Sequence, residues 1–325
     1  MIDLPAELRK LTDSTKARRI HKTLTIRSGG ISITVAFLLL YLLFFNDIST
    51  ISTNTYFTIL IGLIILTVLG ILDDKFEIKG KYQLIVQLFV VSIVVLGGVQ
   101  ISEIDKGLPG IVILPDYIAK FVSVAWIMIL INAINWVDGI DGLSTGIVSI
   151  AAFIISILNL QQGNVDVAIL SMMLSGATSG YIPWNFPPNK GTFVGGTAIN
   201  FGYLLGVISI LGSTKSASSM LILLLPILDM IWVIINRINK HEILNPIKLL
   251  GISDKTHLHH RLLDLGLSVR QVTLIEYMII SIIGAILVYT SEASKTTALL
   301  SIGIIILGIF LLISFTNNHK RKNEK

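Results

Sequence analysis

Cysteine is missing from this sequence altogether. That excludes disulfides, thiolate metal sites, iron–sulfur clusters and cysteine nucleophiles together. Charge is scarce as well: 14% of the 325 residues are Asp, Glu, Lys or Arg, against about 25% in a soluble globular chain. A fold of this size has too little polar surface here to be clothed in water. Nor is there an apolar signal core before Ile31; residues 1–28 are polar and basic and read as a cytosolic leader. No repeat, low-complexity tract or linker divides the chain, so residues 1–325 read as one domain. What is abundant is apolar: 53% of residues are hydrophobic and mean hydropathy is +0.80. The net charge of +5 and pI near 9.3 do not argue for nucleic acid, because basic residues of a membrane chain are first expected in cytoplasmic loops. No nucleic-acid partner is expected; a lipid bilayer is.

Apolar runs long enough to cross a hydrocarbon core, about 20 residues each as helix, number roughly ten. They cover Gly30–Phe45, Tyr56–Leu72, Leu84–Val99, Ile118–Val137, Leu143–Leu160, Val165–Ile182, Thr197–Leu211, Met220–Ile235, Val272–Tyr289 and Thr297–Phe315. The expected fold is therefore all-α and integral to the membrane. When the spans alternate from a cytosolic N-terminus, 21 of the 25 Lys and Arg fall in inner segments, and only Lys106, Lys120, Lys215 and Lys295 fall near outer loops. The positive-inside rule then puts both termini and the long loop from Arg237 to Arg270 in the cytosol. Between Ile101 and Asp116, Gly107 and Pro109-Gly110 separate two short β-branched runs, the pattern of a small outer hairpin.

With this topology the unusual polar residues gather at the cytosolic side. Asp73-Asp74 closes the second span; Asn132, Asn135, Asp138 and Asp141 follow at steps of three through the end of the fourth. Each such step drifts about 60° around a helix, so the first and last meet only if the helix ends or tightens near Gly139. Asp254, Lys255, His257, His259 and His260 lie in the long inner loop. An acidic pair at a helix end is often only a solvated face, and three nearby histidines are often only a loop. Amides inside an apolar span are harder to dismiss, since lipid tolerates them mainly when they face protein or a water-filled cavity. Asp229, inside the eighth span, reads as a structural partner of a neighbouring helix. Convergent carboxylates with no thiolates suit magnesium, which takes oxygen ligands and keeps waters for a substrate's phosphates. Phosphoryl transfer asks a protein mainly for alignment and charge neutralisation, so these residues point to a membrane enzyme acting on a phosphate ester.

The segments Gly70-Ile71-Leu72-Asp73-Asp74, Asn132 through Leu143, and Asp254-Lys255-Thr256-His257-Leu258-His259-His260-Arg261-Leu262-Leu263 resemble the polyprenyl-phosphate N-acetylhexosamine-1-phosphate transferases. The form of the histidine motif is similar to the branch that moves N-acetylglucosamine-1-phosphate. The resemblance runs from about Asp13 onward. It implies transfer of a sugar-1-phosphate from a UDP-sugar to undecaprenyl phosphate with release of UMP. This would be the first lipid-linked step of a cell-envelope polysaccharide, made at the cytoplasmic membrane, with polymer-assembly enzymes as further partners. By motif position it implies catalytic roles for Asp73, Asp74, Asp138 and Asp141. Asn135 and Asp138 would hold magnesium or manganese, and Asp13, Asn132, Asn135, Lys255, His257, His259, His260 and Arg261 would bind substrate. Asp13, Arg18, Arg19 and His21 keep the spacing of the family's first inner loop without its usual Pro and Asn.

Two departures stand out. A membrane span that relatives of this branch carry before that loop has no counterpart here. And Phe193-Val194-Gly195-Gly196-Thr197-Ala198 resembles the family's Phe-Leu-Gly-Asp-Ser-Gly, so Gly196 stands where the family has a metal-binding aspartate. On this reading Gly196→Asp raises magnesium-dependent UMP release. The alternative is a catalytically impaired or silent relative that binds lipid or nucleotide or scaffolds polymer assembly. A transporter ranks last, because only Asp229 sits where mid-membrane ionisable groups would be required.

Overall fold

A computed structural model describes residues 29–44, 48, 51–105, 111–188, 192–212, 222–241, 256–290 and 308. Among the described residues ten α-helices follow in chain order: α1 (Gly29–Leu43), α2 (Thr53–Phe76), α3 (Gly80–Leu96), α4 (Asp116–Val137), α5 (Leu143–Gln161), α6 (Val165–Asn185), α7 (Ile199–Leu211), α8 (Leu224–His241), α9 (Leu258–Asp264) and α10 (Val269–Tyr289). Each of the first nine apolar runs of the sequence coincides with one of them; the run from Thr297 lies outside the described residues, Gly308 excepted. Five helices, α2, α4, α5, α6 and α10, are long and apolar enough to cross a membrane, while α1, α3 and α7 are apolar but shorter. Side chains such as Leu43, Phe89, Leu96 and Phe121 are more than half exposed. An outward face of this kind belongs in hydrocarbon, and the chain is an all-α integral membrane protein.

Helix limits follow local chemistry. Ser52 caps α2 by accepting from the Thr55 amide at 3.1 Å, and Ser268 with Gln271 forms a reciprocal capping box on α10. At the start of α4, Lys120 pairs with Asp116 at 2.6 Å. Gly142, at φ 75°, turns the chain from α4 into α5 in the left-handed region, where a side chain would be strained. Between α3 and α4, β1 (Glu103–Asp105) and β2 (Ile111–Ile113) pair antiparallel with Ile104 opposite Val112. This is the expected hairpin.

α7 is the axis of the bundle. Every residue from Ile199 to Ile210 is buried. A Cβ on Gly202 would lie 2.3 Å from the Leu130 carbonyl oxygen, so α7 and α4 touch backbone to backbone. Small residues permit this close approach, the usual means by which helices associate without a hydrophobic drive in lipid. The Asn200 side-chain amide donates to Thr34 at 3.0 Å and Thr67 at 2.9 Å, tying α7 to α1 and α2. The alternating direction of successive helices brings the C-terminal ends of α2, α4 and α6 together with the N-terminal ends of α3, α5 and α7. At the opposite end Thr55 reaches the Gly97 carbonyl and Ser123 receives the Ile101 amide. The motif segments share the first end.

Candidate active site

The acidic pair ends α2, and its two carboxylates are held by different partners. Asp73 Oδ1 accepts from Gln83 Nε2 at 2.8 Å, and the same amide donates to the Ile78 carbonyl. One turn further along α3, the buried Gln87 accepts from Asn132 Nδ2 at 3.1 Å, while Asn132 also donates to the Met128 carbonyl at 2.8 Å. α3 thus carries two amides on one face that connect the acidic pair to α4. They explain why Asn132 is tolerated in an apolar span: its donor group is satisfied inside the protein. Asp74 Oδ2 instead accepts from the backbone amide of Gly196 at 2.9 Å.

α4 stops at Val137 with Asp138 as its C-cap, so the helix does end before Gly139, as a meeting of Asn132 and Asp141 requires. Asn135 is half-buried one turn from both Asn132 and Asp138. The Ser144 hydroxyl donates to Asp138 Oδ1. The loop that follows is pinned from three helices. Asn185 Oδ1 accepts from the Gly142 amide at 3.1 Å and from Thr145 at 2.9 Å. Thr273 donates to the Asp141 carbonyl at 3.2 Å, and the Tyr277 hydroxyl to the Gly142 carbonyl. A loop with its backbone groups so occupied presents the side chains of Asp138 and Asp141 from a fixed frame.

The histidine motif opens α9. Asp229, buried in α8, places Oδ2 2.8 Å from His257 Nδ1 and accepts the Leu258 amide on Oδ1 at 2.8 Å. The expected structural pairing of Asp229 is therefore present, and its partner is the motif itself. His257 stacks on His259 with centroids 5.4 Å apart and meets the edge of Trp136 at 5.7 Å. His259 and His260 lie 4.4 Å apart. The Arg237 guanidinium covers Trp136 at 4.4 Å, and Arg261 covers Trp232 at 4.8 Å. A Cβ on Gly139 would fall 2.5 Å from His259 Nε2, so this imidazole rests on the α4–α5 loop. Burial, reinforced by His260 and His257, holds the His259 pKa well below the ordinary imidazole value. His259 is accordingly neutral, and its Nε2 is buried without a hydrogen-bond partner.

The sequence motifs thus converge: Asp73 and Asp74, Asn132 to Asp141, and His257 to Arg261 occupy one end of the bundle, linked through Gln83, Gln87, Trp136 and Gly139. Asp13, Arg18, Arg19, His21, Asp254 and Lys255 lie outside the described residues. Gln83, Gln87, Asn185, Thr273, Tyr277 and Arg237 were not singled out from the sequence. Two of them had a readable signal, since Gln83 and Gln87 are amides four apart in an apolar run, the same anomaly that marks Asn132.

Among the described residues no three His, Asp or Glu side chains gather; magnesium, which takes one or two protein oxygens beside a substrate's phosphates and waters, does not require such a group. At the position of the expected aspartate, the Gly196 amide occupies Asp74. A Cβ there would lie 2.5 Å from the Gly70 carbonyl oxygen, and a Cβ on Gly70 would lie 2.7 Å from the Thr197 nitrogen. Backbone fills the space a carboxylate stem would need. A side chain at Gly196 meets the Gly70 backbone, so the gain expected from Gly196→Asp requires the main chain there to shift.

An acidic helix end, an amide-bearing helix and a histidine helix facing one another at one end of a membrane bundle define the class: a membrane phosphoglycosyl transferase. The glycosyl transferase family 4 profile matches residues 56–213. The probable undecaprenyl-phosphate N-acetylglucosaminyl 1-phosphate transferase of Bacillus subtilis (strain 168) is 33% identical over 313 residues, covering 94% of this chain and 84% of the relative. The decaprenyl-phosphate N-acetylglucosaminephosphotransferase of Mycobacterium tuberculosis (strain ATCC 25618 / H37Rv) is 27% identical over 337 residues, 92% of this chain and 80% of its own. The undecaprenyl-phosphate alpha-N-acetylglucosaminyl 1-phosphate transferase of Yersinia pestis is 26% identical over 275 residues, 80% and 72%. The chain belongs to glycosyl transferase family 4, among the polyprenyl-phosphate N-acetylhexosamine-1-phosphate transferases.

Proposed function

We propose that the protein transfers N-acetylglucosamine-1-phosphate from a UDP-sugar to undecaprenyl phosphate. This is the first lipid-linked step of a cell-envelope polysaccharide, taken at the cytosolic face of the cytoplasmic membrane with both termini on that side. An oxygen of the lipid phosphate attacks the sugar-linked phosphorus, the bond from that phosphorus to the bridging oxygen breaks, and UMP leaves with the bridging oxygen. The product is a lipid-linked sugar pyrophosphate. The observation that carries the reading is the convergence of Asp73-Asp74, Asn132 to Asp141 and the histidine helix at one end of the bundle. Asp73 and Asp74, at the end of a membrane helix, position or deprotonate the lipid phosphate; Asn135, Asp138 and Asp141, with Asn132, organise the metal and nucleotide end; His257, His259, His260 and Arg261 hold sugar or phosphate groups. A divalent ion, magnesium or manganese, is held in this reading by Asn135 and Asp138 and by the donor's pyrophosphate, whose charge it neutralises. The distribution of Lys and Arg supports the sidedness, and enzymes that extend the lipid-linked sugar are the partners such a product needs.

One observation favours a second reading, a silent relative that binds lipid or nucleotide: the backbone contact of Gly70 with Gly196 where the family carries an aspartate. Purified protein in lipid nanodiscs, given undecaprenyl phosphate, a panel of UDP-sugars and either magnesium, manganese or chelator, separates the two. UMP release that requires the lipid phosphate, and is fastest with UDP-N-acetylglucosamine, is the expected result. Retained binding of UDP-sugars with no UMP from any of them overturns the transfer and leaves the silent relative.

A further inference from the structure

We infer that Asp229 is a positioning residue that fixes the tautomer of His257, so that Nε2 of this imidazole, acting as an acceptor, takes a hydroxyl or amide N–H of the sugar nucleotide. The inference rests on the proposed binding of such a donor at this end of the bundle, and deepens it by naming the contact. Asp229 lies eight residues before Arg237 in α8, and its side chain and that of His257 are 6% and 8% exposed. Both carboxylate oxygens are committed, one to the His257 ring and one to the Leu258 amide. A carboxylate only accepts, so the 2.8 Å contact requires the proton on His257 Nδ1. In the neutral ring the second nitrogen then carries a lone pair, which suits an N–H or O–H of a ligand and not a phosphate oxygen.

The ring has no freedom to exchange its two nitrogens. His259 stacks on one face and the Trp136 edge closes in at 5.7 Å; Trp136 is itself covered by Arg237 of the same helix that carries Asp229. α8 therefore grips the histidine at two places, directly through Asp229 and through Trp136 by way of Arg237. A carboxylate placed only to stabilise the start of α9 would need the Leu258 contact alone. The second oxygen, spent on a titratable ring at the junction with the Asn132 to Asp141 segment, is what assigns Asp229 a part in recognition.

The test uses the full chain in nanodiscs with three variants, Asp229→Asn, His257→Gln and His257→Asn. Glutamine keeps an amide near the Nε2 position; asparagine keeps one near Nδ1 and can still donate to Asp229. With nitrogen-15 histidine labelling, the wild-type His257 signal, identified by its loss in His257→Gln, shows a protonated Nδ1 and an unprotonated Nε2. In Asp229→Asn the pattern becomes mixed or reversed. UDP-N-acetylglucosamine binding falls about 10- to 100-fold in Asp229→Asn, the range for losing a group that orients a ligand-bearing histidine. It also falls further in His257→Asn than in His257→Gln. A wild-type ring protonated on Nε2, with Nδ1 bare or also protonated, or an asparagine variant that binds donor as well as the glutamine one, overturns the inference. Both readouts are independent of turnover: wild-type protein that binds donor with this pattern yet releases no UMP removes the transfer reading and leaves the Asp229–His257 assignment standing.

Discussion

Where Asp74 meets Gly196, one side of the contact is backbone; where Asp229 meets His257, the ring is held by side chains. At the first place the Gly196 amide holds the carboxylate and the Gly70 backbone abuts the same turn, so no side chain can be added without moving the main chain. At the second, a carboxylate, an indole and a guanidinium surround one imidazole, and each can be exchanged for a near-isostere with its neighbours left in place. The contrast teaches that the two contacts respond differently to an altered side chain: one added at Gly196 or Gly70 acts through the fold, one exchanged at Asp229 or His257 through chemistry.

The sharpest way to break the comparison is at the acidic half. Asp74→Asn keeps an acceptor for the Gly196 amide but removes the charge, and turnover in the nanodisc assay falls about 100- to 1,000-fold with little change in melting temperature. Next comes Gly196→Asp. Overpacking against backbone costs about 1–3 kcal/mol, so the variant melts earlier and gains no magnesium-dependent UMP release; Gly70→Ala does the same. If Gly196→Asp instead melts normally and binds magnesium in a direct titration, the two halves are alike and the contrast fails.

At the histidine half the effects are smaller and depend on pH. His259 has its folded pKa depressed by burial, so between that value and the ordinary pKa of about 6.5 the unfolded chain binds the extra proton. Stability therefore rises with pH through this window and is lost as the pH falls below about 6.5. Melting temperatures taken from about pH 7.5 to about pH 5 should drop for the wild type and drop less for His259→Asn. The smallest effect is expected at Gln87→Leu, which removes the acceptor for Asn132. A lost hydrogen bond of this kind costs about 0.5–1.5 kcal/mol, and Asn132 retains the Met128 carbonyl.

Long apolar runs made the helices legible, because a helix that lies in lipid must announce itself by composition; nine of the ten runs fall on described helices. Asp73-Asp74, the Asn132 to Asp141 steps and the histidine triplet were legible for the converse reason, as polar groups in places where only a purpose or a partner sustains them. The partners were not. Gly70 and Gly196 are ordinary glycines until the chain is folded, and nothing local says that two backbones 126 positions apart will touch. Asp229 read correctly as a structural acid, but its second oxygen on His257 is a tertiary fact. Gln83 and Gln87 were readable by the rule that exposed Asn132, and the apolar run around them concealed their shared face.

α7 is buried in protein from Ile199 to Ile210, all but the last of its 13 residues, and at about 1.5 Å per residue it is shorter than the hydrocarbon it sits within, about 30 Å. Its fit is therefore indifferent to bilayer thickness. Hydrophobic mismatch acts first on the lipid-facing helices, by tilt or by local adjustment of the bilayer, and the turn that carries Gly196 to Asp74 lies at the end of a helix that lipid does not cover.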